Sequence, residues 1–319
     1  MRTPDRVVIA TRGSKLARTQ AEIVRAALID AHDGLQVDLE IVTTTGDRDS
    51  RPFAAIGAKG IFTSEVERAV LEGRADVAVH SAKDLTSELA DGCAIVCVPE
   101  RATAHDVVVG GRGSSARERL ETLPRDAKVG TSSMRRRALL AEVRPDLHPV
   151  ELRGNLDTRM AKVADGKVDA AILAAAGLQR LGYDDEPELE PTWWVPAPAQ
   201  GTLAVEGLAG RGDLIELLAP LHDKTVAGEL ACERAFTAEL EGGCSVPLGC
   251  LARTAGAQMD VVGFLGHPDG GSALRDRISG PVSEAGRLGT ELARALLDGG
   301  GADILDELRG EPTPEVVEP

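Results

Sequence analysis

Short aliphatic and β-branched runs alternate with longer segments of mixed polarity through most of the first 200 residues. VVIATR (7–12), VDLEIVTT (37–44), DVAVHS (76–81) and residues 94–99 read as strands, while 14–31 and 64–72 read as helices. A second series of the same kind begins near Asp106. Its strands are DVVVG (106–110), AKVGT (127–131), HPVEL (148–152) and DAAILA (169–174), separated by helices at 115–120, in GTSSMRRRALLAEV, at 155–164 and at 175–181. Such alternation predicts an α/β fold with parallel sheets covered on both faces, in two similar units. The proline-rich PELEPTWWVPAPAQG (187–201) continues neither pattern and reads as a hinged crossing back to the first unit. From Asp223 the texture becomes α+β: a helix through Glu239, a glycine-flanked cysteine loop, strands at 258–264 and 273–278, and a helix at 283–297. GEPTPEVVEP reads as a disordered tail.

Composition narrows the function classes. Hydrophobic residues make up 43% of the 319, enough for two or three cores, but aromatics are only 2%, so those cores are mainly aliphatic. A net charge of -15 argues against a nucleic-acid or anionic-membrane surface. The N-terminal apolar run is too short for a signal-peptide core and no stretch reaches spanning length, so a cytoplasmic protein is expected. The five cysteines lack CxxC spacing and nearby histidines; free thiols are expected, with neither a disulfide framework nor a metal site.

Against that acidic background, Arg135, Arg136 and Arg137 stand in the first turn of a helix, the end that already carries partial positive charge. An anion among them would explain the placement. Residues 130–137, with hydroxyls from Thr131, Ser132 and Ser133, then form an anion cradle; the other reading is a solvated basic stripe. Three further segments put cations at strand-to-helix junctions, where α/β sheets bind ligands: ATRGS with Arg12 and Ser14, VHSAKD with Ser81, Lys83 and Asp84, and ELRGNLDTR with Arg153, Gly154 and Arg159. Together they suggest several carboxylates or phosphates. Asp84 would repel such a ligand unless it met a cationic part or a carbocation-like transition state; otherwise it is a salt-bridge partner or a cap. Residues 46–60 form a long connection, a lid or a plain surface loop. Cys244 lies on an irregular loop, either modified or an inert buried thiol.

IATRGS, GAKGIF, RADVAVHSAKD, VGTSSMRRR, LRGNLDTR, AILAAAGLQRLG, AQGTLAVE, ERAF and LEGGCSVPLG occur in this order between Val7 and Leu308. On these motifs the chain resembles the porphobilinogen deaminase, or hydroxymethylbilane synthase, family. The resemblance implies a transferase that condenses four porphobilinogens head to tail, releases ammonia and frees hydroxymethylbilane by hydrolysis. It implies a dipyrromethane cofactor attached to Cys244 and Asp84 as the catalytic carboxylate. Arg12, Ser14, Ser81, Lys83, Thr131, Ser132, Ser133, Arg135, Arg136, Arg153, Gly154, Arg159, Arg180 and Gln200 would hold cofactor and substrate, with Lys59 and Phe62 on the lid and Arg137 left as the solvated member of its run. The implied architecture is two doubly wound, periplasmic-binding-protein-like domains, 1–101 with 198–219 and 102–197, plus a smaller α+β domain, 220–319. A monomer is expected, with porphobilinogen as its only partner. Thr45, His105 and the PAPAQGTL crossing depart from the family's usual residues, and Met134 replaces a leucine. The rival is a non-enzymatic two-lobed carboxylate-binding or sensing protein, which leaves Asp84 and the Cys244 loop unexplained.

Overall fold

The computed structural model describes residues 4–44, 63–241 and 246–310. Thr45, the 46–60 connection with Lys59, Phe62, Cys244 and the tail beyond residue 310 lie outside the described residues.

The first sheet begins with β1 (Arg6–Arg12), α1 (Lys15–Ala31), β2 (Gln36–Val42), α2 (Ser64–Leu71), β3 (Val77–Ser81) and β4 (Cys93–Cys97). β1 pairs in parallel with β2 and with β3. Ser14 caps α1 through a 3.2 Å bond from the Ala17 amide, and the helix buries Gln20, Ala21, Val24 and Leu28 against the sheet.

The chain then crosses to β5 (Asp106–Gly110), α3 (Ala116–Glu121), β6 (Lys128–Gly130), α4 (Met134–Val143), β7 (His148–Val150), α5 (Leu156–Ala164), β8 (Ala170–Ala174) and α6 (Ala175–Gln179). These strands form a second sheet in the order β5-β8-β6-β7, with β5 antiparallel to β8 and the others parallel. On its return the chain forms β9 (Leu203–Leu208), which enters the first sheet between β3 and β4, antiparallel to both. The sheets are therefore mixed where the alternation predicted parallel pairing throughout. The physical reason is that β9 follows a crossing instead of a helical return, so it enters from the opposite end.

The two crossings touch each other. The Ala102 amide donates to the Gly201 carbonyl at 3.3 Å, and a Cβ on Gly201 would lie 2.4 Å from the Thr103 carbonyl oxygen. With φ at +86° as well, the position admits only glycine.

After α7 (Gly212–Leu218), α8 (Lys224–Glu239) leads to an antiparallel sheet of β10 (Leu248–Ala255), β11 (Gln258–Gly266) and β12 (Ala273–Pro281), followed by α9 (Ala285–Leu296) and α10 (Ala302–Gly310). β10 directly follows the cysteine loop, whose irregular composition hid it from the hydrophobic pattern. Arg101 ties this last unit to the crossings. Its fork meets Glu233 of α8 at 2.8 and 3.1 Å, its Nε donates to the Gln200 carbonyl, and Glu233 also accepts from the Ala199 and Ala252 amides. Arg101 and Glu233 are 4% and 0% exposed, so the pair is strong only because these extra bonds satisfy the carboxylate. No helix among the described residues is long and apolar enough to cross a membrane. Cys93, Cys97, Cys232 and Cys250 are free thiols.

Candidate active site

Strands that run in parallel end on one edge of their sheet, so β1 and β3 deliver Arg12 and Ser81 side by side. A 3-10 turn at Ala82–Asp84 follows and leaves Lys83 and Asp84 half-buried. In the second unit β6 and β7 likewise end where Thr131 and Glu151 begin the connections to α4 and α5, and β8 runs directly into α6 at Ala175. A small cleft at the first set of strand ends is lined by Arg12, Gln20, Thr63, Val79, His80, Ser81 and Asp84.

The hydroxyls of the second unit shape their own loop. Ser133 caps α4 through the Arg136 amide, Thr131 accepts from the Ser133 amide at 3.2 Å, and Ser132 donates to the Leu152 carbonyl at 2.9 Å. Gly154 takes φ +104°, and a Cβ there would meet Thr158 at 2.9 Å. The turn brings its carbonyl to Arg159 Nε at 2.9 Å, while Arg153 Nε donates to Glu151 at 2.5 Å.

Arg135 and Arg136 depart from the expectation that their forks face a ligand. Both are buried, at 3% and 7% exposure, and both reach inward to Asp106. One Asp106 oxygen accepts from Arg135 Nη2 and Trp194 Nε1, each at 2.8 Å. The other accepts from Arg136 Nη2 at 2.7 Å and Gln200 Nε2 at 2.8 Å. The Nη1 groups donate to the Val195 and Ile172 carbonyls. What is left is Nε: in Arg135, Arg136 and Arg137 it is buried with no hydrogen-bond partner among the described residues. Arg137 is half-buried, which also corrects its reading as the solvated member. Burial alone would push the Asp106 carboxyl up; the two arginine charges and the bonds from Arg136 and Gln200 overcome it and hold the group far below the usual carboxylate range.

Gln200 is a second correction. It is 1% exposed and its amide is spent, donating to the Ala104 carbonyl and Asp106 and accepting from Lys83 Nζ at 3.3 Å. It joins the units instead of facing a ligand. Arg180 likewise donates from Nη2 to the Gly201 carbonyl.

Positive charge is in surplus across this region. Burial lowers Lys83 to about 8, with Asp84 opposing and Arg136 reinforcing the shift. Burial, then Arg136, lowers Arg159 to about 10, again against Asp84, and burial lowers Arg180 to about 10. Lys83, Arg135, Arg136 and Arg159 outnumber Asp84 and Asp106, the carboxylates that act on them. Asp84 itself makes no ion pair or hydrogen bond among the described residues, so neither a salt bridge nor a cap accounts for it. The arrangement can hold a ligand with several carboxylates and present one carboxylate to a part of it that becomes cationic.

Gln20 escaped the sequence reading. It is 4% exposed, with Nε2 at 2.9 Å from Ser81 Oγ. The available signal was a polar residue on the buried stripe of α1. Asp106, Trp194 and His80 also belong to the site, but their partners lie too far along the chain for spacing to reveal them. No group of His, Cys, Asp or Glu among the described residues is arranged to hold a metal ion.

Residues 7–216 match the family model described as porphobilinogen deaminase, dipyromethane cofactor binding domain, and residues 227–298 match porphobilinogen deaminase, C-terminal domain. The chain is 45% identical over 302 residues to the porphobilinogen deaminase of Roseiflexus castenholzii, covering 94% of this chain and 98% of the relative. It is 42% identical over 311 residues to that of Chromobacterium violaceum, covering 97% and 99%. Among solved structures it is similar to the VFT2 domain of Bordetella pertussis BvgS, at 17% identity and a TM-score of 0.41, covering 72% of this chain and 92% of that one.

Proposed function

From its membership of the porphobilinogen deaminase family, we propose that the chain is a cytoplasmic, monomeric transferase that joins four porphobilinogens head to tail and releases hydroxymethylbilane for tetrapyrrole synthesis. The observation that carries the site is the surplus of cations, Lys83, Arg159, Arg135 and Arg136, around Asp84 and Asp106. Each porphobilinogen brings two carboxylates, which answers that surplus. The same residues fit dipyrromethane: the orphaned Nε groups of Arg135, Arg136 and Arg137 are donors that its carboxylates would satisfy. Bound to Cys244, which lies outside the described residues, the cofactor supplies the pyrrole carbon to which the first substrate is joined.

Lys83 and Arg159 bind carboxylates of cofactor and substrate, with Arg12, Arg153 and Arg180 extending the cradle. Thr131, Ser132, Ser133 and Gly154 hold the backbone that presents those groups, and Ser14 does so at α1. Gln200 and Asp106 fix Lys83, Arg135 and Arg136. Asp84 is the catalytic carboxylate: it accepts pyrrole N–H groups and stabilises the positive charge that spreads onto the substrate ring as ammonia departs. Lys59 and Phe62 are proposed lid contacts. A division at 1–101 with 198–219, 102–197 and 220–319 goes with this reading, supported by the three sheets.

Mass spectrometry of the intact protein tests the proposal. The deaminase carries a two-pyrrole adduct that Cys244→Ser removes, whereas a carboxylate-binding protein shows the bare chain mass. The binder is the weaker reading because it gives Asp84 no task.

Lys83 adds a prediction in pH. Its folded value of about 8 lies below the ordinary lysine value, so the folded chain gives up this proton first. Between there and about 10.4 the unfolded chain holds more protons, and this group's contribution to stability rises with pH. Its grip on carboxylates moves the other way. KM for porphobilinogen should therefore climb above the Lys83 value in steady-state assays, and Lys83→Arg should flatten that limb. A limb unchanged in the variant assigns it to another group.

A further inference from the structure

On the α2 side of the first sheet, beneath the cleft, lies a cluster of ionisable side chains that the reaction as derived leaves idle. Alternate residues of β3 face opposite ways, so His80 shares a face with Ala78, which packs under α2. β9 brings Glu206 to this layer and α2 brings Glu67. His80 Nε2 stands 3.0 Å from a Glu206 oxygen, and the two side chains are 4% and 0% exposed. The approach is an ion-pair distance without hydrogen-bond alignment, and neither Glu206 oxygen nor Glu67 Oε1 has a hydrogen-bond partner among the described residues. Burial and the Glu206 charge raise Glu67 above the usual carboxyl range, against His80 and the Ala90 amide. Cys93 of β4 stays a thiol, pushed up to about 12 by burial and Glu206. Arg234 of α8 faces Glu206 from the third unit.

Two carboxyls and an imidazole, buried with their hydrogen bonds incomplete, destabilise a core that aliphatic residues would fill better. Their position supplies a reason for them. His80 also lines the small cleft at the strand ends, where Arg12 and Asp84 are the charged groups facing it.

We propose that His80, backed by Glu206 and Glu67, is the station that takes up the proton released in each condensation, acting through Asp84. The proposal rests on the deaminase reading. Substrate enters with its aminomethyl group as ammonium. The C–N bond breaks and its electron pair leaves with ammonia. The free α-carbon of the terminal pyrrole then forms the C–C bond with the cationic methylene. The C–H bond at that α-carbon breaks, its electron pair returns to the ring, and the proton passes by Asp84 to His80, then out to solvent with the departing ammonia. One ammonium in, one ammonia and one proton out, leaves the site reset for the next of four rounds. His80 is a positioning residue in this scheme, since it moves the proton without touching the reacting carbon.

The holoenzyme tests it. His80→Gln should keep the adduct mass and slow elongation roughly 100-fold. With porphobilinogen deuterated at its free α-carbon, the variant should show a primary isotope effect that the unaltered enzyme lacks, because C–H cleavage has become limiting. Glu67→Gln preserves shape and covers the case in which His80→Gln does not fold. It should displace the pH profile of elongation, because the raised Glu67 carboxyl is removed from the cluster. An unchanged rate in His80→Gln, a slow His80→Gln enzyme without an isotope effect, or a Glu67→Gln enzyme whose pH profile of elongation stays in place overturns the relay. Absence of the adduct from the unaltered protein overturns the deaminase reading instead.

Discussion

Asp84→Ala should leave the protein folded and its adduct in place while lowering elongation by roughly 10²–10³-fold, the range set by removing one preorganised stabiliser of developing charge. Folding is spared because the side chain is half-buried and makes no ion pair or hydrogen bond among the described residues. The loss falls on kcat. The cradle that binds carboxylates, Lys83 and Arg159 among it, is intact in the variant and loses an opposing charge, so substrate should bind no more weakly. Asp84→Asn should behave like the alanine variant because it keeps the shape and loses the charge. Single-turnover ammonia release beside intact mass separates the two steps. Near-normal hydroxymethylbilane production by either variant would remove the electrostatic role.

The limits of the sequence are visible in these same residues. Asp84 was legible because a carboxylate among strand-end cations is an anomaly that local composition exposes. The arginine run was legible as an anomaly too, but only half explained. Its placement at the α4 N-terminus pointed to an anion, and the anion that takes both forks is Asp106, 29 and 30 residues away in sequence. Nothing in the spacing of a strand-initial aspartate announces that it will be buried against the helix after the next strand. Gln200 shows the same limit, since its three partners come from both units. The α/β alternation and the third unit were legible because periodicity of two or 3.6 residues is local. β9 was not, because its partners are fixed by the path of the crossing, and β10 was masked by the loop before it. Gln20 could have been found, since one polar side chain on a buried helical stripe is a question that the helix itself raises.

Asp106→Leu should be the most destabilising single change at the site, by about 3–5 kcal/mol, the cost of removing one partner from a buried charge pair. The side chain is fully buried and four donors converge on it, so the variant leaves the Arg135 and Arg136 charges, the Trp194 N–H and the Gln200 amide facing an apolar group. The damage spreads in two directions, along α4 to the cradle and through Gln200 to Lys83. Asp106→Asn should fall between, because it keeps one acceptor and turns an amide toward the donors on the other side. The depressed Asp106 value sets the sign in pH. A carboxyl held below its unfolded value contributes stability that is whole above about pH 4 and is lost as the pH falls toward the folded value. The gap between unaltered protein and Asp106→Leu should thus be widest near neutrality and narrow in acid. Urea unfolding at pH 7 and at about pH 2, read by a probe in the second unit such as Trp194, measures both. A loss under about 1 kcal/mol at pH 7, the scale of an exposed ion pair, would mean that the buried arginines are already compensated without Asp106.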